Sequence, residues 1–382
     1  IDQRAFATTL NDRNVDRALG HLRGKLAVVD EQYPVIWHLD ITGRCNLACA
    51  YCQRSFFLES GHEFLKGDLG DELFDKIVPY FKYAKIVALL SMLGEPLVVK
   101  SLPRWWRAVL DGGAKPQTTT NGTFLTPALA DMFASSGGRL KMSVDSFDDG
   151  TLAILRPGHG DAPGMTPGLL RDRLRLIEER RRQHPSSSFQ FGVNVCLTAK
   201  NLPHAVKTME EALRQTRVDV FTLASFRMPR DEANRHPAYA EQLSLDPSSL
   251  EQREGWKRVI EFASRAKKEH GVHFVFPYSK KEWQRWLDDD TLALHEDSFE
   301  SKDGGDGDYY CCVPWLKTGV LSDGTVIPCH LLYWPQPDFT MGNLSTSSFA
   351  EIWNGPKYTE FRAKMAAEKD LGACAECKSW WR

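Results

Sequence analysis

The chain has 382 residues, 42% of them hydrophobic and 26% charged, and its 48 basic and 50 acidic residues nearly cancel. That length is more than one hydrophobic core usually serves, and the charge balance excludes the basic excess of a nucleic-acid binder. No run of 18 or more apolar residues and no charged-then-apolar leader is visible, so the expected setting is soluble and cytoplasmic, with no membrane partner.

Residues 1–34 form an N-terminal extension. Residues 35–41 (Val-Ile-Trp-His-Leu-Asp-Ile) read as a strand that runs straight into the first cysteines. Apolar spacing predicts a helix over 71–82, with Asp71 as N-cap and Leu73, Phe74, Ile77, Val78 and Phe81 on its buried side, although Pro79 opposes it. Ile86–Leu90 has strand length, a helix closes at Ala108–Leu110, and Gln117–Thr120 reads as strand before the turn pair Asn121-Gly122. The alternation goes on through strand Leu140–Val144, helix Leu169–Gln183, strand Phe189–Leu197, helix Ala205–Arg214 and strand Val218–Leu223.

Six strands alternating with helices predict an α/β fold, a partial (β/α)6 barrel of TIM type over residues 35–225. Sites in such barrels lie at the C-terminal strand ends. Residues 226–308 read as a connecting region, with a helical stretch at 249–270, a short strand at Val272–Phe276 and the acidic run Asp288-Asp289-Asp290. The polar segment 301–308 reads as a linker. A domain boundary is placed there, which leaves 309–382 as a small C-terminal α+β domain.

The nine cysteines are grouped: three within 45–52, five within 311–377, and Cys196 alone on the fifth strand. In a reducing compartment such groups read as metal ligands rather than disulfides. Cys45-Asn-Leu-Ala-Cys49-Ala-Tyr-Cys52 puts three thiolates on one loop. Three thiolates suit a 4Fe–4S cluster with one iron left open to a further ligand. The alternative is a structural zinc, which wants a fourth ligand; His38 is a candidate but lies within the strand. The second group, Cys311, Cys312, Cys329, Cys374 and Cys377, suits either a closed iron–sulfur cluster or a four-cysteine zinc knuckle.

Cys-x3-Cys-x2-Cys with an aromatic residue, Tyr51, before the last cysteine resembles the defining motif of radical S-adenosylmethionine (SAM) enzymes. Gly94-Glu95-Pro96 resembles the family's segment for the SAM amino group, on the reasoning that a carboxylate pairs with an ammonium and that glycine admits close backbone approach. Leu93 stands where many members have a second glycine. Ser143-Val144-Asp145 resembles the Ser-x-Asp segment that contacts SAM ribose or carboxylate, and Thr120-Asn121-Gly122 resembles the third-strand Thr-Asn-Gly. Arg156-Pro157-Gly158 is similar to a family segment in which Arg156 would contact SAM carboxylate or substrate. Arg227, just past the sixth strand, is placed to reach the same pocket.

Cys311-Cys312-Val-Pro-Trp315, Asp323-Gly324, Cys329, Gly342-Asn343-Leu344, Glu351–Gly355, Phe361-Arg362 and Cys374-Ala-Glu-Cys377 resemble the C-terminal extension called SPASM in its long form and twitch in its short form. The last cysteine pair is followed by five residues, which matches the short form with one auxiliary 4Fe–4S cluster. The resemblance implies Cys311, Cys329, Cys374 and Cys377 as its ligands, with Cys312 the rival of Cys311.

The resemblance further implies reductive cleavage of SAM to a 5′-deoxyadenosyl radical, hydrogen abstraction from substrate, and a flavodoxin- or ferredoxin-type electron donor. A closed auxiliary cluster would take the second electron of an oxidation. The expected reaction is therefore that of a radical SAM oxidoreductase acting on a secondary alcohol, in a sugar or aminocyclitol intermediate of natural-product biosynthesis. Three alternatives remain. One is an epimerase with Cys196 as hydrogen-atom donor, against Cys196 as a small buried hydrophobe. Another is modification of a ribosomal peptide, for which the residues before the first strand are too few to form a leader-binding domain. The third is a zinc-stapled binding module with no activity.

Overall fold

The structure, a computed structural model, describes residues 33–52, 54, 67–91, 93–226, 243–276, 287, 313–329, 339–366 and 374. Strands β1 (Ile36–Asp40), β2 (Ile86–Leu90), β3 (Lys115–Thr120), β4 (Arg139–Ser143), β5 (Gln190–Leu197) and β6 (Val220–Ser225) pair in consecutive parallel order, and β7 (His273–Val275) adds to β6. Parallel neighbours need crossover connections. Helices α1 (Asp71–Asp75), α2 (Leu102–Asp111), α3 (Pro127–Ser136), α4 (Asp149–Leu155), α5 (Pro167–Gln183), α6 (Ala205–Gln215) and α7 (Leu250–His270) fall between them. The result is the partial barrel of TIM type that the alternation predicts.

The helix starts follow local chemistry. Thr126 and Thr166 each stand before a proline at the first helical position and accept from the backbone N–H three residues on, Leu129 and Leu169, at 3.2 Å. The helix expected over 71–82 divides instead. α1 ends at Asp75, and a 3₁₀ segment, Val78–Tyr83, carries Pro79 in its first turn, where a missing N–H costs nothing. Asp71 does not cap it. Gly70 holds that position, and the Asp71 carboxylate instead accepts from Trp105 Nε1 at 2.7 Å and pairs with Arg104 at 2.9 Å.

Past the expected boundary come α8 (Val313–Leu316), β8 (Lys317–Val320), β9 (Thr325–Ile327), β10 (Gly342–Asn343), α9 (Phe349–Trp353) and α10 (Pro356–Ala366). β8 pairs parallel with β1, Ile36 against Lys317 and Leu39 against Val320, while β9 turns back antiparallel on β8. One sheet thus runs β10-β9-β8-β1 through β7. The C-terminal segment extends the barrel's own sheet and covers its first edge. Phe349 of α9 packs on Trp37 of β1, ring centroids 4.3 Å apart.

Residue alternation decides what faces inward. Along β4, Leu140 and Met142 are buried beneath the helices, so Arg139, Lys141 and Ser143 face the lumen. Along β5, Phe191, Val193, Val195 and Leu197 face the helices, which leaves Gln190, Gly192, Asn194 and Cys196 inside. Among the described residues, no helix is long and apolar enough to cross a membrane.

Candidate active site at the cysteine loop

The loop after β1 is strapped from two sides. On one side, Gly94 lies so close to Thr42 that a Cβ there would meet the Thr42 carbonyl oxygen at 2.2 Å, so only glycine fits. Glu95 N donates to Arg44 O at 2.7 Å. On the other side, Ala48 N donates to Pro157 O, Ala50 N to Leu155 O and His159 N to Asn46 O, each at 2.9 Å. The Gly-Glu-Pro and Arg-Pro-Gly segments that the sequence singles out are therefore the two walls that hold the cysteine loop. Asp68 anchors its base through Thr42 Oγ1 and, with both carboxylate oxygens, the Arg44 guanidinium.

The thiols of Cys45, Cys49 and Cys52 share this loop, each half-buried. Burial, and then the neighbouring Cys49, pushes the Cys52 thiol up to about 12. Burial likewise raises Cys45, where Glu95 and Cys49 add to it. Arg54, 7% exposed, donates Nε to Gly43 O at 2.9 Å, and its charge offsets part of the rise at both thiols. The sequence pattern alone does not single out Arg54. Among the described residues, no three His, Cys, Asp or Glu side chains converge tightly enough for one metal ion. The three loop thiols nonetheless lie close enough to act on one another.

Glu95, 1% exposed, is satisfied from within the protein. Its Oε1 accepts from Leu97 N at 3.0 Å and Thr120 Oγ1 at 2.5 Å, and its Oε2 accepts from Asn121 N at 2.7 Å. Burial still raises its pKa above the ordinary carboxylate value. The carboxylate thereby ties the end of β3 to the wall beside the cysteines. Asn121 in turn reaches back to Asn46 Oδ1 at 3.0 Å. Pro96 opens the short 3₁₀ turn behind Glu95.

Asp145, fully buried just past β4, is the second hub. Its Oδ2 accepts from the Tyr51 hydroxyl and lies 3.3 Å from Arg156 Nε, and its Oδ1 accepts from Cys196 N at 2.8 Å. Arg156 also donates Nη1 to Ser143 O at 2.5 Å. Asn201 fixes the same corner by donating Nδ2 to Asp145 O and Cys196 O at 3.0 and 2.9 Å. Asn201 is absent from the motif reading, and its only sequence signal is the turn Thr198-Ala-Lys-Asn201 after β5. The fold thus brings Tyr51, Ser143, Asp145, Arg156 and Cys196 together beside the cysteine loop. Burial, then Asp145, drives the Cys196 thiol well above its ordinary pKa.

Of the second cysteine group, Cys329 and Cys374 are described and neither is in a disulfide; Cys311, Cys312 and Cys377, like Arg227, lie outside the described residues. β9 runs antiparallel to β8, with Ile327 level with Gly319. Cys329, two residues further, therefore lies toward the N-terminal end of β1, opposite the rim that carries Cys45. Nearby, the Arg362 guanidinium stacks 4.1 Å from the Trp353 ring centroid and donates Nη1 to Trp353 O at 2.8 Å. Trp353 is core, whereas Trp315 is only half-buried.

A family model described as the radical SAM superfamily matches residues 39–179, and one described as an iron–sulfur cluster-binding domain, SPASM, matches 311–378. The chain is 24% identical over 361 residues to an AdoMet-dependent heme synthase of Methanosarcina barkeri, covering 92% of this chain and 90% of that protein. It is 23% identical over 340 residues to a tungsten-containing aldehyde ferredoxin oxidoreductase cofactor-modifying protein of Pyrococcus furiosus, covering 85% and 82%. Among solved structures, SuiB of Streptococcus suis bound to S-adenosylmethionine overlays with a TM-score of 0.60 at 15% identity, over 98% of this chain and 82% of that one. The protein anSMEcpe with bound AdoMet and a peptide gives 0.58 at 15%, over 90% and 87%. With the parallel barrel and the cysteine loop at its rim, these matches make the chain a member of the radical SAM superfamily with a SPASM-type domain, whose cofactors are a SAM-binding 4Fe–4S cluster, SAM and an auxiliary iron–sulfur cluster.

Proposed function

We propose that the chain is a radical SAM dehydrogenase that oxidises a secondary alcohol of a small, sugar-like molecule held in the barrel lumen. One observation carries the reading. Cys45, Cys49 and Cys52 lie at the C-terminal rim of a lumen lined by polar side chains, and Cys329, of the second cysteine group, lies toward its other end. A substrate between them has a hydrogen-abstracting centre on one side and an electron acceptor on the other. That is the arrangement a two-electron oxidation needs.

Cys45, Cys49 and Cys52 would hold the SAM-binding cluster, and Cys311, Cys329, Cys374 and Cys377 the auxiliary one, with Cys312 the alternative to Cys311. Three thiolates on one loop leave one metal position without a protein ligand, which fits a cluster with an open iron better than a structural zinc, which wants four. When bound, these groups supply hydrogen-atom abstraction through SAM at one end and acceptance of the remaining electron at the other. The protein's own part is placement. Glu95 and the Arg156 segment hold the loop in register, and Asp145 orients Tyr51 and Arg156. Ser143 and Asn121 stand at the strand ends, where they would meet the ribose and methionine ends of SAM. The lumen face of β4 and β5 orients the substrate.

A second reading rests on Cys196. It is on the lumen face of β5, its N–H is fixed by Asp145, and burial keeps its sulfur a neutral thiol. A neutral thiol is what a hydrogen-atom donor in an epimerisation must be. The experiment is anaerobic turnover of the reconstituted enzyme with SAM, a strong reductant and a panel of sugars, sugar acids and aminocyclitols in deuterated water. Release of 5′-deoxyadenosine with a ketone product lighter by two hydrogens supports dehydrogenation. A product of substrate composition carrying one solvent deuterium transfers the assignment to epimerisation through Cys196.

A further inference from the structure

The lumen contains a cation that nothing above uses. Lys141 is on the inward face of β4, between Arg139 and Ser143. Its aliphatic stem crosses β5 at Gly192, where a Cβ would meet Lys141 Cγ at 3.1 Å and Val220 Cγ1 at 2.8 Å. A side chain at position 192 would close that path, which gives this strand glycine its reason. The stem carries the ammonium two strands over, and Nζ donates to Thr222 Oγ1 on β6 at 2.9 Å. Lys141 has no carboxylate partner among the described residues. The described charged group that acts on it is Arg139, of the same sign, whose own guanidinium donates Nε and Nη2 to Gln190 Oε1 at 3.1 and 2.7 Å and is partly offset by the Asp219 carboxylate. Asp40 stands at the same height, but on β1, three strands round the barrel. One layer nearer the rim, level with Ser143 and Thr222, the buried Asn194 Oδ1 has no hydrogen-bond partner among the described residues.

Among the described residues, a half-buried ammonium with two donors to spare and an amide oxygen with no donor lack the partners that an oxyanion-bearing ligand would supply. We propose that the lumen holds an oxyanion subsite in which Lys141 binds a carboxylate or phosphate of the substrate, with Arg139 adding positive field and Asn194 accepting from a neighbouring hydroxyl. Resting on the radical SAM reading of the same lumen, this narrows its substrate to an acidic molecule, such as a sugar acid or sugar phosphate, and removes the cationic aminocyclitols. It also gives the lumen a polarity: the anionic end of the substrate is pinned at mid-barrel, and the hydroxyl-bearing end points to the rim.

The subsite is tested on the wild-type holoenzyme at saturating SAM by amidination with methyl acetimidate, which takes only neutral amines. Peptide mass spectrometry then follows each lysine. Desolvation lowers the Lys141 pKa to about 8, so it reacts ahead of ordinary surface lysines. Inorganic phosphate or acetate should slow its reaction roughly tenfold when present at about ten times its dissociation constant, and methylammonium should not. Which anion protects tells a phosphate ester from a carboxylate. The assignment falls if neither anion protects Lys141, if methylammonium protects equally, or if SAM alone gives the full protection, which would put the ammonium on the cosubstrate's own carboxylate. Release of 5′-deoxyadenosine is assayed in the same preparation. Its absence would remove the radical reading and leave the protection result to judge the subsite by itself.

Discussion

The hydroxyl of Tyr51 donates to Asp145 Oδ2 across 94 residues of sequence, joining the residue before the third loop cysteine to the end of β4. Asp145 also faces Arg156 at 3.3 Å and accepts from Cys196 N, so one carboxylate sets the distance between the cysteine loop and the barrel rim. Replacing it breaks a buried pair and strands the Arg156 charge. Asp145→Ala should therefore cost about 3–5 kcal/mol in denaturant unfolding of the holoenzyme. Tyr51→Phe removes one hydrogen bond and leaves the pair, so about 1 kcal/mol is expected. Equal losses in the two variants would show that Arg156 is not held by Asp145.

Glu95 offers a sharper contrast. Three protein donors reach its carboxylate, two on Oε1 and one on Oε2, so it holds the wall beside the cysteines whether or not a SAM ammonium also meets it. Glu95→Gln keeps the shape but turns one acceptor into a donor facing Thr120 or Asn121 N–H. A stability loss of about 1–3 kcal/mol is expected, with SAM affinity in calorimetry changed less than about tenfold, that is by under 1.4 kcal/mol. A SAM affinity loss far larger than the stability loss would return the carboxylate to direct contact with the cosubstrate.

Metal content separates the two cysteine groups. Anaerobically purified enzyme should carry about eight irons, two clusters of four. The triple variant Cys45→Ala, Cys49→Ala, Cys52→Ala should retain about four irons and lose SAM cleavage. Cys329→Ala should retain the cleavage and lose the other cluster, together with any ketone product. Zinc in place of iron at either group would fail that expectation.

The motifs were legible in sequence because their chemistry is local. Three thiols within eight residues carry their own geometry. The barrel was legible because its strands alternate with helices. What escaped were relations closed by the fold: Asp68 under Arg44, Arg54 behind the thiols, Asn201 bridging Asp145 and Cys196, and the continuation of the sheet from β1 into β8. Apart from Arg54, whose acceptor is Gly43 in the same loop, each depends on a partner tens or hundreds of residues away, where periodicity is silent. Glu95 is legible as a motif residue, but its ties to Thr120 and Asn121 are closed only by the fold.

Lys141 leaves a pH signature that does not depend on any substrate. Its pKa is lowered from an ordinary 10.5 to about 8, by desolvation first and then by Arg139. A depressed lysine pKa means the native state holds fewer protons than the unfolded chain between those two values, so stability rises with pH across that window. Below about pH 8 the lysine is charged in both states, and the full desolvation cost is present. Allowing for the water the lumen admits, that cost is about 1–2 kcal/mol. Lys141→Met should therefore raise the unfolding midpoint at pH 7, and its advantage should shrink as the pH approaches 10. Losing the Thr222 hydrogen bond works the other way and is independent of pH until the amine titrates. Gly192→Ala, which crowds the stem without removing the charge, should destabilise at both pH values by about 1–3 kcal/mol. A Lys141→Met advantage that stays flat from pH 7 to 10 would mean the ammonium is fully solvated, and the lumen would then have no buried charge to answer.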